Sequence, residues 1–260
     1  LILTTYTNNV NSLGASAPIN YSVDRINGGG LRVDKNYPIN YFYGFVTDGI
    51  FQTNEEVAKG PKQVVGTDPA KSTAPGDIRF KDINGDGVID DKDRTYLGNS
   101  IPDFTFGFTN VFSYKNFELT IFIQGSQGNK VLNFNRWYIE GGVSNGNYSR
   151  TFFNTRWTGP GTSNTTPRAI FGDPNGNDRV SDRFVEDASY IRLKNVKLQY
   201  NLSANLLKKL TLKKIGIYLS VQNLVTLTKY TGFDPEVGGG IDYGFYPQSR
   251  TLTAGILADF

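Results

Sequence analysis

Apolar and polar residues alternate with a period of two along much of this chain, while helical periodicity is scarce, so strands are the predicted elements. The clearest run is 251–260. Leu252, Ala254, Ile256, Ala258 and Phe260 share one phase, and Thr251, Thr253, Gly255, Leu257 and Asp259 the other. Phe104, Phe106 and Phe108 alternate with Thr105, Gly107 and Thr109 in a strand running to about Tyr114. After the turn signal Lys115-Asn116, the set Phe117, Leu119, Ile121, Ile123 faces away from Glu118, Thr120, Phe122, Gln124, which predicts a hairpin. Ile215, Ile217, Leu219 and Val221 oppose Gly216, Tyr218, Ser220 and Gln222 in the same way. Over 190–202 the phase breaks: Ile191 and Leu193 share one face, Val196, Leu198 and Tyr200 the other. A β-bulge near Asn195 accounts for the break. Further strands are predicted at 1–8, 19–34 and 40–51, giving about eight, and the spacing of Val131, Phe134 and Tyr138 suggests a short helix near 130–140.

Such strands place one face on lipid or a core and the other on water. The links at 114–116 and 203–214 are short, whereas those at 52–103, 125–188 and 228–248 are long and rich in Gly, Asn, Asp and Pro. Outer-membrane barrels segregate loop length in this way, with short periplasmic turns and long extracellular loops. A β-sandwich with insertions is the alternative, although structureless loops beyond about 15 residues are uncommon in compact domains. The reading is therefore all-β, a transmembrane antiparallel β-barrel. With Phe260 ending in the periplasm, the three long links are extracellular and the two short ones periplasmic.

Composition narrows the chemistry. The chain has no His, Cys or Met, which excludes a Ser-His-Asp triad, a Cys-His dyad, and thiolate or imidazole metal sites. A net charge of +3, from 27 Lys+Arg against 24 Asp+Glu, gives no argument for nucleic acid. Gly at 29 residues and aromatics at 13% are both high. The mean hydropathy of −0.36 does not oppose a barrel, where only alternate residues face lipid. With no Met and no signal-peptide pattern at Leu1-Ile2-Leu3-Thr4, the sequence reads as a processed or partial chain.

The strongest motif is a twelve-residue calcium-like loop at 82–93. Asp82, Asn84, Asp86, Asp90 and Asp93 hold the oxygen positions, Gly87 the sharp turn, and Val88 a backbone carbonyl. Calcium would be structural here, and Asp93 in place of the usual Glu would weaken it. The alternative is a cluster of Asx-Gly turns closed by local bonds. Gly28-Gly29-Gly30 and Gly238-Gly239-Gly240 lack the strand, helix and Lys-Ser/Thr context of a phosphate loop and read as loops. Nothing selects two of the carboxylates as a glycosidase pair. The segment 133–157 gathers aromatics and arginines, among them Arg136, Trp137, Tyr138 and Trp157. These are candidates for stacking and orienting a sugar or peptide, against the alternatives of loop packing or an interfacial girdle.

Taken in order, several runs resemble one family. They are Tyr41-Phe-Tyr-Gly-Phe-Val-Thr-Asp-Gly-Ile-Phe-Gln52, Pro75 to Asp90 followed by Asp93-Arg94, and Leu97 to Phe108. Tyr190-Ile-Arg-Leu-Lys-Asn195, Val221-Gln-Asn-Leu224, Tyr230 to Glu236 and Asp242 to Gln248 complete the series. Together they resemble the SusC/RagA family of TonB-linked outer-membrane proteins of Bacteroidota. The resemblance implies a 22-stranded importer barrel, of which this chain is the C-terminal part, about the last eight strands. It further implies a SusD-type surface lipoprotein as partner, drive from the TonB complex acting on an N-terminal plug absent from this chain, glycan or peptide as substrate, and no catalysis. The terminal Phe260 resembles the family's signal for barrel assembly. A self-contained eight-stranded barrel or surface adhesin is the main rival, and a secreted glycan hydrolase a second.

Overall fold

The computed structural model describes residues 1–260 except 6, 16, 24–29, 142–146, 204–206, 208–212 and 260. The terminal signal expected at Phe260, the Gly28-Gly29 pair and much of the 203–214 link lie outside the described residues. In chain order the elements are β1 (Ile2–Thr5), β2 (Ile19–Tyr21), β3 (Leu31–Val33), β4 (Tyr41–Gly44), β5 (Thr47–Ile50), α1 (Asn54–Lys59), β6 (Ile78–Phe80) and β7 (Thr95–Gly98). Then come β8 (Phe104–Tyr114), β9 (Phe117–Gln127), β10 (Lys130–Asn133), α2 (Phe134–Glu140), α3 (Arg150–Thr155) and β11 (Val185–Asp187). The last four are β12 (Tyr190–Asn201), β13 (Lys214–Thr228), β14 (Ile241–Asp242) and β15 (Thr251–Asp259).

Six strands, in the order β1-β8-β9-β12-β13-β15, form one antiparallel sheet, the wall. Eight strands were expected. Those predicted at 19–34 and 40–51 are instead broken into short strands outside the wall, in the sheets β2-β3-β4-β7 and β5-β6. The reason is burial: β4 has Tyr41, Phe42 and Gly44 all buried, so its aromatic run packs on both faces rather than alternating. The first long connection consequently spans 6–103 rather than 52–103.

Register confirms the predicted faces. Tyr114, Phe117, Tyr200, Ile217 and Ile256 form one cross-strand row, and Phe112, Leu119, Leu198, Leu219 and Ala254 the next. Side chains directly opposite each other point to the same face, so these rows make a continuous apolar surface. The other face carries Glu118, Gln199 and Tyr218, then Thr120, Lys197, Ser220 and Thr253. The bulge is present, with the register of β12 shifting between Leu193 and Asn195 against both neighbours.

All three long connections leave the same end of the wall, and the hydrophobic core sits among them. Val23, Phe42, Leu132, Trp137, Val180, Phe184 and Val185 cluster there, with Leu31, Leu97, Phe134 and Ile241 against them. Each fully buried side chain of this size contributes about 1.5–3 kcal/mol. The cluster draws on all three connections and so fuses them into one crown. Backbone pairing reinforces it. β10 runs parallel to β14, and Phe45 donates to the Val180 carbonyl at 2.9 Å. A Cβ on Gly44 would lie 2.3 Å from that carbonyl oxygen, so glycine permits the approach.

Candidate functional site

The 134–140 helix meets the expectation for 130–140 in part, since Val131 belongs to β10 instead. Asn133 caps α2, accepting from the Arg136 N–H at 2.9 Å. One turn on, Arg136 Nε donates to Glu140 Oε2 at 2.9 Å, the i,i+4 pairing a helix favours. Its Nη1 donates to Glu186 Oε1 at 2.9 Å and to the Arg183 carbonyl at 3.1 Å. Burial pulls the Arg136 guanidinium down, but its bonds to Glu140 and Glu186 outweigh that and hold it above its ordinary value. Glu186 in turn accepts from the Thr231 N–H at 2.9 Å. Around this network lies a cavity of about 340 Å³, lined among others by Asn133, Arg136, Glu140, Ser149, Thr231 and Phe233. Amides, hydroxyls, one ion-paired guanidinium and one exposed ring suit a ligand rich in hydroxyl or amide groups.

Of the four residues singled out in the 133–157 segment, only Arg136 lines this cavity. Trp137 is 3% exposed and belongs to the crown core. It stacks on Phe134 with ring centroids 5.1 Å apart, and its indole N–H donates to the Asp178 carbonyl at 2.6 Å. Its ring is therefore closed to a substrate. Trp157 sits elsewhere, its indole donating to Gln52 Oε1 at 3.0 Å and its ring filling the space a side chain at Gly76 would need. Tyr138 is exposed. Loop packing thus takes up both tryptophans.

Loop 82–93 is a web of turn and cap bonds. Asp82 accepts from the Gly85 and Gly87 N–H groups at 2.7 and 2.8 Å, Asn84 from Asp86, and Asp86 from Val88. Gly87 takes φ +82°, which a side chain would strain. Asp93 is fully buried and accepts from Ile83 and Asp90 at 2.8 Å each, while Asp90 caps the 3-10 turn Asp91–Asp93. Ile89 anchors the loop in a small core with Phe45, Ile78 and Phe80. As placed, most of these oxygens face backbone donors, with the Asn84 and Lys92 side chains taking others, and no group of three or more acidic side chains among the described residues is arranged to hold a metal.

Sequence reasoning assigned no role to Arg192, yet it fastens the third connection to the wall. Its side chain projects from β12 on the polar face, and the residue is 1% exposed. Nη2 donates to Asp234 Oδ1 at 2.6 Å, Nη1 to Glu236 Oε2 at 2.8 Å, and Nε to Thr226 Oγ1 at 2.8 Å. Burial alone would raise the Asp234 carboxyl, but the Glu236 and Gln248 N–H groups and Arg192 hold it below the ordinary value. A cation inside a run of strand residues was the available signal.

No protein-family model matches the chain. It is 35% identical over 234 residues to TonB-dependent receptor P3 of Formosa agariphila, covering 85% of this chain and 22% of that protein. It is 32% identical to TonB-dependent receptor P26 of the same organism, across 100% of this chain and 27% of the relative. TonB-dependent receptor SusC of Bacteroides thetaiotaomicron is 33% identical over 189 residues, covering 72% of this chain and 18% of SusC. The solved structure of the RagAB peptide transporter superposes on 93% of this chain and 24% of its own, with a TM-score of 0.70 and 25% identity. The chain belongs to the SusC/RagA family of TonB-dependent receptors.

This receptor chain spans about a quarter of the length of the curated relatives it matches. Its wall is outer-membrane barrel, and the apolar rows are the lipid-facing surface of that barrel. The Arg192 clasp lies where the crown meets the polar side of the wall.

Proposed function

We propose that this chain is the C-terminal part of the barrel of an outer-membrane importer that takes up glycans or peptides. The observation that carries this is the likeness to the RagAB peptide transporter over 93% of the chain, together with a wall whose two faces are sorted into apolar and polar. In this reading the crown faces the outside, where a SusD-type lipoprotein delivers substrate, and the TonB complex drives passage through a plug located elsewhere in the full protein. The polar cavity beside α2 is the first substrate contact we assign within the crown, with Arg136 orienting and Phe233 stacking.

Uptake of fluorescent peptide and glycan pools by cells with and without the full-length gene tests the reading. Loss of uptake on deletion, matched by loss on collapse of the proton gradient, supports it. Uptake indifferent to both overturns it. The intact mass of the native polypeptide separates this reading from a self-contained barrel, which would run close to the mass of this chain alone.

For loop 82–93 we propose calcium as a structural ion, on the order of its oxygen-bearing residues. Asp82, Asn84, Asp86, Val88, Asp90 and Asp93 would supply the ligands. The N–H bonds described above compete for several of the same oxygens, and chelation decides between the two.

A further inference from the structure

Arg183 stands in the crown just before β11 with its side chain 5% exposed. The guanidinium lies over the Phe184 ring, 4.6 Å from its centroid. Nη2 makes a long 3.3 Å bond to the Glu140 carbonyl and stays 3.8 Å from the Glu140 carboxylate. Nε and Nη1 are buried without any hydrogen-bond partner. The neighbouring acids are already committed: Glu140 accepts from Arg136 at 2.9 Å and Ser149 at 3.0 Å, and Glu186 from Arg136 and Thr231. Buried donors left unmet are rare in native proteins, and those on charged groups are the costliest.

The same side chain lines a cavity of about 370 Å³, with Thr47, Gly49, Ile78, Arg136, Asn164 and Thr165 as its other walls. That volume lies within the range of small-ligand sites. None of these described lining residues is acidic, and two are guanidinium-bearing. Asp182, next in sequence, is exposed and accepts from the Thr47 N–H and hydroxyl at 2.9 and 2.8 Å. Burial and the nearby Arg136 charge pull Arg183 down to about 10, which still leaves it charged at neutral pH.

We propose that this cavity binds a carboxylate, with the unpartnered donors of Arg183 as its anchor. With Glu140 and Glu186 close by, a singly charged oxyanion balances the site better than a doubly charged one. On the importer reading the carboxylate belongs to the substrate, as an acidic peptide side chain or a uronic acid. The binding step itself does not depend on that reading.

The test is calorimetric titration of the full-length receptor with triglutamate and with trigalacturonate, each compared with its methyl ester. We expect at least one acid to bind about tenfold more tightly than its ester, and which one does so identifies the source. Arg183→Gln should abolish the preference by bringing acid binding down to the level of the ester, and Arg183→Lys should restore only part of it. Equal binding of acid and ester to the unaltered receptor overturns the proposal without relying on any variant folding. So would a structure of the acid-soaked receptor with only water against Arg183. Normal uptake with no acid preference would remove this inference and leave the importer reading intact, whereas acid preference without uptake would do the reverse.

Discussion

Replacing Val221 by arginine should destabilise the barrel, while the same change at the next residue, Gln222, should be nearly silent. Val221 is the middle residue of the fifteen-residue strand β13. At about 3.3 Å per residue and a tilt near 45°, that strand spans roughly 35 Å along the membrane normal, so its middle falls inside the apolar band of about 25 Å. The residues beside Val221 are Val196 and Leu252, and Ile121 lies one strand further. Gln222 has Asn195 and Thr251 beside it instead. An arginine facing lipid at mid-depth costs about 2–4 kcal/mol, which is about 30- to 900-fold in the folded-to-unfolded ratio. The assay is the urea midpoint of the full-length receptor in lipid vesicles, read by the gel shift of unboiled samples. Equal shifts for the two variants, or a larger one for Gln222→Arg, would refute the assignment of faces. Ile217→Asp and Ile256→Asp, which pair directly, should likewise impair assembly, and Ser220→Asp on the other face should not.

Further outcomes follow from the crown. Arg192→Ala leaves Asp234 buried without its cation, a change worth about 3–5 kcal/mol, and protease cutting within 229–250 should rise sharply. Unchanged cutting would show that the clasp is idle. Asp93→Ala removes the acceptor for the Ile83 and Asp90 N–H groups, costs about 1–3 kcal/mol, and should open 82–93 to proteases. Chelation at neutral pH should do the same if calcium is bound, and unchanged cutting would remove the ion from the account. Asp173 is pushed up from 3.8 to about 7 by burial and by the neighbouring Asp178 charge. Folding therefore favours its protonated form. Its contribution is fully present below about pH 4 and is lost as pH rises through about 7. Asp173→Asn, compatible with the positive φ there, should flatten the dependence of melting temperature on pH between these limits. A slope identical to that of the unaltered receptor would exclude Asp173 as its source.

The wall was legible because lipid on one side and water on the other impose strict alternation, which survives even the Asn195 bulge as a change of phase. The crown was not, because several of its strands, β4 and β10 among them, are buried on both faces. Tyr41-Phe42 thus reads like any aromatic strand, although it pairs in a small separate sheet. Trp137 misled for a related reason. Aromatics beside arginines have the composition of a binding surface, but a hydrogen bond from the indole to a carbonyl 41 residues away buries this one. Arg192 and Asp234 are 42 residues apart, and Arg183 holds two buried donors without a partner. Arg192 shows in the sequence only as a cation within a strand, without its partners, and the unmet donors of Arg183 leave no local trace.

The parallel pairing of β10 with β14 carries a practical consequence for anyone grafting foreign peptides onto this surface. Together with the Tyr230 hydroxyl donating to Asp242 at 2.6 Å and the Arg192 clasp, it sews the third connection down along most of its length. Added chain at those seams would rip several at once. Tyr246, 95% exposed between Phe245 and Pro247, stands clear of them, and an epitope inserted there should protrude while the stitching below holds.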